Sequence, residues 1–561
     1  MRQARRKFRT RAAAIGTGVL LSGAAVAGCG SSAGTAASAS TNLTIVAAYG
    51  TTVQADFNPF QVATFAATGG TDMLYLPLEA YNPLTSSYIP YLASSLDVVS
   101  AKQVNFTLRS GVTWSNGKPV TTADVVSTFG ILKNYPALDT TGLWQELQSV
   151  SASGNTIIFK LKTPNSQIAP DLAQIPVVPA SVWSSISNPA TFANASPTVV
   201  DGPYELQTAS TVKVIYQKNP RYFGIAQMSA APDTVTGLPQ ETGGGQILDL
   251  EKGVFDWNET SDTDRGGFAT DWVAKDPAHN HYWIPASGLV TLYLNLDKAP
   301  FNDPQFRLAL DYGINRTAVG QHGNVNGYET AASQTGLLPQ DDKLIPASVP
   351  NGGNVSYDPA KARQILLSDG YRYSGGKLIG KNGQQVTFTL QTIQGYVDWL
   401  GQAEEIATEL GTLGISVQVS QVQFAAGVSN VFSGEYDAAI YFGDSTNIPY
   451  SDYRSLLESS LSAPVGKPAA GDYERVSSTQ VEGLLNEIAS STSTATQNAA
   501  IGALASYVYN SVPVIELTTE PGWYEYSTKN YIGWPDAANP DADPVSVLSQ
   551  LEIIPQLRAA G

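Results

Sequence analysis

The sequence predicts an α/β protein of more than one domain, built on parallel or mixed sheets. Three observations carry this. Apolar runs of strand length at 386–392, 415–419 and 436–442 alternate with an amphipathic segment of helical period at 403–413. The chain has 561 residues, more than one hydrophobic core accommodates. The stretch 291–316 reads as strand, loop and helix in sequence. Leu292 to Leu296 are strand-like, 297–304 is polar and proline-bearing, and Asp303 is placed to cap a helix opening on Pro304. Phe306, Ala309, Leu310 and Ile314 then recur at helical spacing.

From the first residue, 1–28 hold no acid and six basic residues, Arg2, Arg5, Arg6, Lys7, Arg9 and Arg11, and an apolar run follows them. That is an export signal, too short and too interrupted for a membrane span. It ends in Val26-Ala27-Gly28-Cys29, and Cys29 is the one cysteine of the chain, so an internal disulfide is excluded. The segment resembles the lipobox of bacterial lipoproteins, which implies a diacylated Cys29 as the mature N-terminus. Arg5-Arg6-Lys7-Phe8 also resembles a twin-arginine signal, so the export route stays open. Residues 30–41, uncharged and small, read as a flexible tether.

Of 32 basic residues, 26 remain from Cys29 onwards against 48 acidic ones, a net charge of −22. This excludes charge-driven binding to nucleic acid or an anionic membrane surface. The 27 tyrosines and nine tryptophans supply amphipathic rings for a cleft or a core alike.

Along the mature chain, 43–48 reads as a buried first strand. Val104, Phe106 and Leu108 alternate with polar residues as in a half-buried strand, and Asn116-Gly117 carries the signal of a type I′ hairpin turn. Thr121 or Thr122 is placed to cap a helix, with Asp124 in its first turn. Residues 157–161 and 512–517 read as further strands. Asp358 and Pro359 open a helix striped by Ala362, Ile365 and Leu366.

Reaction chemistry finds little support. His279 and His281 could chelate a metal from an extended segment, but no cysteine or acid cluster completes a set, so neither metal nor cofactor is expected. Ser374-Gly375-Gly376-Lys377 spells S-x-x-K in a Gly-rich turn, not at the start of a helix. Gly243-Gly244-Gly245 ahead of Gln246 could hold an anion, though a loop feeding a helix is the simpler reading.

These motifs, in this order, resemble the bacterial extracellular solute-binding proteins of family 5, the peptide-binding receptors of ABC importers. Asn295, Ala299, Pro300, Phe301, Asn302, Asp303, Arg307, Ala309, Leu310, Ile314 and Arg316 match the family's "aPFnDprvRqAl…aiDR" passage, with Asn315 in place of aspartate. Residues 104–127 match "ftLRkgvkWsDGkpltAeDVvfS", with Asn116 and Thr122 as departures. Residues 56–60, 81–83, 201–206, 216–224, 248–256 and 357–371 add weaker matches, Asp201 replacing a usual small residue.

The resemblance implies a type II periplasmic-binding-protein fold, two α/β lobes with mixed sheets joined by a hinge. It implies a first lobe at 42–287 with an inserted subdomain at about 81–195, a second lobe at 288–511 and a return to the first at 512–561, with crossings near 286–292 and 510–517. It implies a monomeric receptor that captures a peptide or similar small solute, delivers it to membrane permease subunits and catalyses nothing. A sensor on the same fold, or a receptor for an oligosaccharide, opine or chelated metal, is the alternative. By the same resemblance Asp444 pairs with a ligand ammonium. The arginine that dipeptide-binding members carry for the ligand carboxylate has no counterpart in 390–396. Gln394, Tyr396 and Trp399 become the candidate wall, and Tyr441, Asn447 and Trp257 complete the set.

Overall fold

The computed structural model describes residues 41–49, 51–61, 70–240, 245–258, 268–323, 330–443, 446–545 and 548–560. Cys29, residues 30–40 of the expected tether, Gly243-Gly244 and Asp444 lie outside the described residues. From Ser40 onwards the chain is one compact unit.

Among the described residues a first sheet has seven strands in the order Asn280–Tyr282, Glu525–Ser527, Trp257–Asn258, Asn42–Tyr49, Thr234–Gln240, Lys213–Lys218, Tyr204–Ser210. Asn42–Tyr49 lies at its centre, parallel to Thr234–Gln240 and to Trp257–Asn258. Leu43, Ile45 and Ala47 point inward, the period-2 pattern of a strand.

Four antiparallel strands, Ala93–Ser100, Gln103–Leu108, Thr156–Leu161 and Leu147–Ser153, form the inserted sheet. Val104, Phe106 and Leu108 are its buried face, as the alternation predicts. The helix Thr122–Asn134 covers it, and Phe159 meets Phe106 and Phe129 edge-on at 5.7 and 4.8 Å. Asp124 secures that helix by accepting from the Thr121 N–H and hydroxyl, both at 2.9 Å. The insert shares one continuous hydrophobic core with the first sheet. The Asn116-Gly117 turn is not type I′, because Gly117 alone has positive φ, at 81°. It is closed by Gly117 N–H donating to the Trp114 carbonyl at 2.8 Å.

The second sheet runs Ser416–Val422, Thr387–Ile393, Ala438–Phe442, Ala286–Leu294, Val514–Pro521. Thr387–Ile393 is parallel to both its neighbours, and Ala286–Leu294 is antiparallel to both of its own. Helices cover both faces, so the central strands Ala286–Leu294 and Ala438–Phe442 are buried on both sides along most of their length. Val290, Leu292 and Leu294 pack into one core, with the helices Pro304–Gly313, Pro359–Ser368 and Val397–Thr412. Tyr293 packs into the other, with Pro449–Leu457, Thr479–Ser490 and Thr494–Ser511. Asp303 accepts from the Gln305 N–H at 3.1 Å and Asp358 from the Lys361 N–H at 2.9 Å, so both expected caps form.

Three expectations shift. The strand expected at 512–517 runs over Val514–Pro521 and lies at the edge of the second sheet, because Val512, at φ 46°, ends the preceding helix. The chain joins the first sheet only at Glu525. It therefore passes between the two sheets at 283–285 and at 522–524, beyond the expected spans. These passages hydrogen-bond to each other, Trp283 N–H to the Tyr524 carbonyl at 2.9 Å and Gly522 N–H to the Pro285 carbonyl at 2.8 Å. The helix expected at 403–413 begins instead at Val397, which carries Trp399 into a helical turn.

Candidate functional site

Open α/β sheets hold ligands outside the carboxyl ends of their parallel strands. On the first sheet those ends carry Gln240 and Asn258. Each is 1 % exposed, and neither the oxygen nor the nitrogen of either amide has a hydrogen-bond partner. The indole N–H of Trp257 is likewise buried without a partner. Its ring meets Tyr524 and Trp534 edge-on, at 5.9 and 6.1 Å. An orphaned buried polar group costs about 1–3 kcal/mol. Such groups in a native fold point to an incoming ligand or ordered water.

On the second sheet the matching ends are those of Thr387–Ile393 and Ala438–Phe442. Gln394, just past the first, is exposed and accepts from the Gln423 side-chain amide. Tyr396 is half-buried. Its ring lies 4.6 Å from Trp399, 6.0 Å from Phe442 and 6.3 Å from Phe424, which stacks on it and is 50 % exposed. The result is an aromatic shelf open on one side. Trp399 does not face out. It is fully buried against Tyr441 and Phe442, at 6.2 and 4.6 Å, and backs the shelf. Tyr441 joins that cluster from the neighbouring strand. Thr392 is buried with its hydroxyl unpartnered.

Asn447, 8 % exposed and at φ 56°, has an unpartnered side-chain carbonyl just ahead of the helix Pro449–Leu457. The structure thus gathers Gln394, Tyr396, Trp399 and Tyr441 at one sheet, and holds Trp257 at the other.

Electrostatics on this side are acidic. Burial, then the nearby Asp398, pushes the Glu520 carboxyl up to about 8. Burial also raises Asp398, partly offset by the backbone N–H groups of Trp399 and Asp398 at the helix start. At neutral pH Glu520 is therefore largely protonated and can donate a hydrogen bond. The chemistry on offer is amide, hydroxyl, indole and carboxylic-acid hydrogen bonding beside stacking faces.

The other candidates dissolve into local structure. His279 pairs with Asp276 at 2.9 Å, and His281 Nε2 lies 3.2 Å from the Thr528 hydroxyl. Among the described residues no cluster of three His, Cys, Asp or Glu could hold a metal. Ser374 and Lys377 are paired ends of a hairpin whose turn is Gly375-Gly376, at φ 58° and 78°. Sequence reasoning missed Gln240, Asn258 and Glu520. The available signal was a polar residue ending an apolar strand, as in Leu238-Pro239-Gln240 and Phe255-Asp256-Trp257-Asn258.

Residues 87–463 match the model of the bacterial extracellular solute-binding proteins, family 5 Middle. The chain is 27 % identical over 345 residues to Protein XP55 of Streptomyces lividans, covering 59 % of this chain and 58 % of that one. It is 26 % identical to the nickel-binding periplasmic protein of Escherichia coli K12, covering 62 and 65 %. These matches thus span less than two thirds of the relatives' own length. Among solved structures, the periplasmic oligopeptide-binding protein of an oligopeptide ABC transporter from Thermotoga maritima superposes with a TM-score of 0.81 at 25 % identity, over 93 % of this chain and 99 % of that one. Its mannohexaose-bound form superposes with a TM-score of 0.73 at 24 % identity, over the same shares.

Proposed function

Since the chain belongs to the bacterial extracellular solute-binding proteins of family 5, we propose that it is the solute receptor of an ABC importer. It captures a peptide or similar small solute between its two sheets and passes it, without turnover, to membrane permease subunits. The observation that carries this reading is the pairing of unpartnered buried amides, Gln240 and Asn258, on one sheet with the exposed Tyr396–Phe424 shelf on the other. The passages at 283–285 and 522–524 supply the hinge. Closure shifts an existing open–closed equilibrium toward the form that buries the ligand. The lobes of this reading are residues 42–284 with 523–561, and 285–522, and the receptor acts as a monomer.

A neutral oligosaccharide is the second reading. It is favoured by the uncharged amide and ring chemistry of the site, and by the mannohexaose held by the Thermotoga neighbour. Native mass spectrometry of the purified chain, followed by calorimetry with peptide and oligosaccharide panels, tests both. One retained compound per chain is expected. Absence of binding across both panels, or turnover of a bound compound, overturns the receptor reading.

The peptide reading keeps Asp444 as partner of the ligand ammonium, supported by its position in the sequence two residues after the Ala438–Phe442 strand. Asp444→Asn is expected to weaken peptide binding by roughly 1.5–3 kcal/mol and to leave the melting temperature of the free protein unchanged. Unaltered peptide affinity removes Asp444 from the site.

Export and anchoring complete the proposal. Residues 1–28 are the signal, and Cys29 carries the lipid that tethers the receptor to the outer face of the membrane. Cys29→Ser is expected to leave the signal uncut or to release the protein into the soluble fraction. A processed, lipid-labelled Cys29→Ser protein on membranes contradicts the assignment.

A further inference from the structure

Among the described residues, the insert meets the helical layer of the second sheet at two polar points. At the first, Arg454 of helix Pro449–Leu457 donates to Glu146 Oε1 at 2.9 Å and to Glu458 Oε2 at 2.5 Å. Asn165 donates to the other Glu146 oxygen at 2.5 Å. At the second, Ser166 N–H donates to the Ala489 carbonyl at 2.8 Å and its hydroxyl to the Ile488 carbonyl at 3.2 Å. Gln497 Nε2 donates back to that hydroxyl at 3.1 Å. Ile488 and Ala489 are in the last turn of helix Thr479–Ser490, whose carbonyls have no partner within the helix. The insert thus caps a helix of the other lobe.

Three further observations describe a contact without an apolar seal. The core of the first sheet and insert shares no residue with the cores of the second sheet. Two hollows of about 470 and 780 Å³ flank the contact, with Tyr450 lining both. The partners are partly exposed, Arg454 by 34 % and Glu146 by 21 % of their side chains, so water can resolvate them on opening. Polar interfaces of this kind permit relative motion.

We infer that Glu146–Arg454 and Ser166 with the Thr479–Ser490 helix end form a two-point latch that holds the lobes together, away from the hinge. It sets how readily the empty receptor closes. The inference rests on the closure reading above and deepens it. Weakening the latch raises the open fraction without touching a ligand-contacting residue.

Hydrogen exchange and small-angle scattering on the ligand-free chain test it. In Arg454→Ala, protection of the Ser166 amide is expected to fall about five-fold, the scale of one partly exposed ion pair. The radius of gyration should rise, and exchange in Gln103–Leu108 should stay unchanged. Arg454→Lys, which keeps a cation beside Glu146 and Glu458, should retain most of the protection. Unchanged Ser166 protection in Arg454→Ala overturns the latch. So does loss of protection that spreads to Gln103–Leu108, since the insert is then unfolding. Mannohexaose and a mixture of tri- to nonapeptides separate the two proposals. If neither binds while the latch responds as expected, the receptor reading fails and the latch stands. If one binds while Ser166 is indifferent, the latch fails alone.

Discussion

Arg316→Met should lower the free energy of unfolding by about 3–5 kcal/mol, the scale of breaking a buried ion pair from one side. Arg316 is 4 % exposed. Its Nη2 lies 2.5 Å from Asp311 and 2.6 Å from the Gln334 side-chain carbonyl, and its Nε donates to the Glu516 carbonyl at 2.6 Å. Gln334 in turn donates to the Val514 carbonyl at 2.8 Å. One guanidinium thus ties the Pro304–Gly313 helix to the edge strand Val514–Pro521, which feeds the passage between the sheets. Removing it strands Asp311, whose carboxyl burial already pushes up. Denaturant titration followed by circular dichroism reads the loss. The double variant Arg316→Met with Asp311→Leu should recover most of it, because no charge is then left buried. A single-variant loss below about 1 kcal/mol, the range of an exposed pair, would show that the network does not fasten this strand.

The melting temperature should be higher at pH 5.5 than at pH 8.5. Burial, helped by neighbouring Asp543 and Asp72, pushes the Glu552 carboxyl up to about 9. Burial raises Asp72 and Asp472 to about 7, against the pull of backbone N–H groups, and Glu520 to about 8. Each folded value lies above the unfolded one of about 4. The folded chain therefore keeps protons that the unfolded chain releases. The stability these groups contribute is complete below about pH 4 and is lost as pH rises through 7 to 9. Each group contributes a slope of about 1.4 kcal/mol per pH unit between its two values. Asp233 behaves oppositely. Burial works against its charge, but Lys218 and the Thr41 N–H outweigh that and hold it below the usual range, so its contribution is lost only under stronger acid. Thermal scans across this range read the slope, and Glu552→Gln should flatten it. A melting temperature that rises from pH 5.5 to 8.5 means that these carboxyls are ionised in the fold.

Local signals were legible where neighbours in sequence settle the geometry. Asp303-Pro304 and Asp358-Pro359 cap their helices through bonds two or three residues away. Val104, Phe106 and Leu108 turn inward because a strand alternates. Legibility stopped where distant segments decide. Gln334 and Arg316 meet Val514 and Glu516 from 180 and 200 residues away. Gln240 and Asn258 come to the same edge of the sheet only because Asn42–Tyr49 sets both strands parallel to itself, one ending beside Tyr49 and the other just past Ile45. Trp399 was expected on the cleft wall. The helix starting at Val397 instead turns it onto the buried face, so Tyr396 and Phe424 hold the exposed surface. The Glu520 carboxyl was invisible because its protonation depends on burial beside Asp398.

In the proposed receptor, one solute is held between the carboxyl ends of both sheets. Hydrogen exchange of the purified chain, with and without a saturating compound found by the panels above, tests it most directly. Simultaneous protection of residues 255–258 on the first sheet and 394–399 on the second is expected, at one compound per chain. Protection of one segment alone, or of neither while the compound is bound, would contradict it.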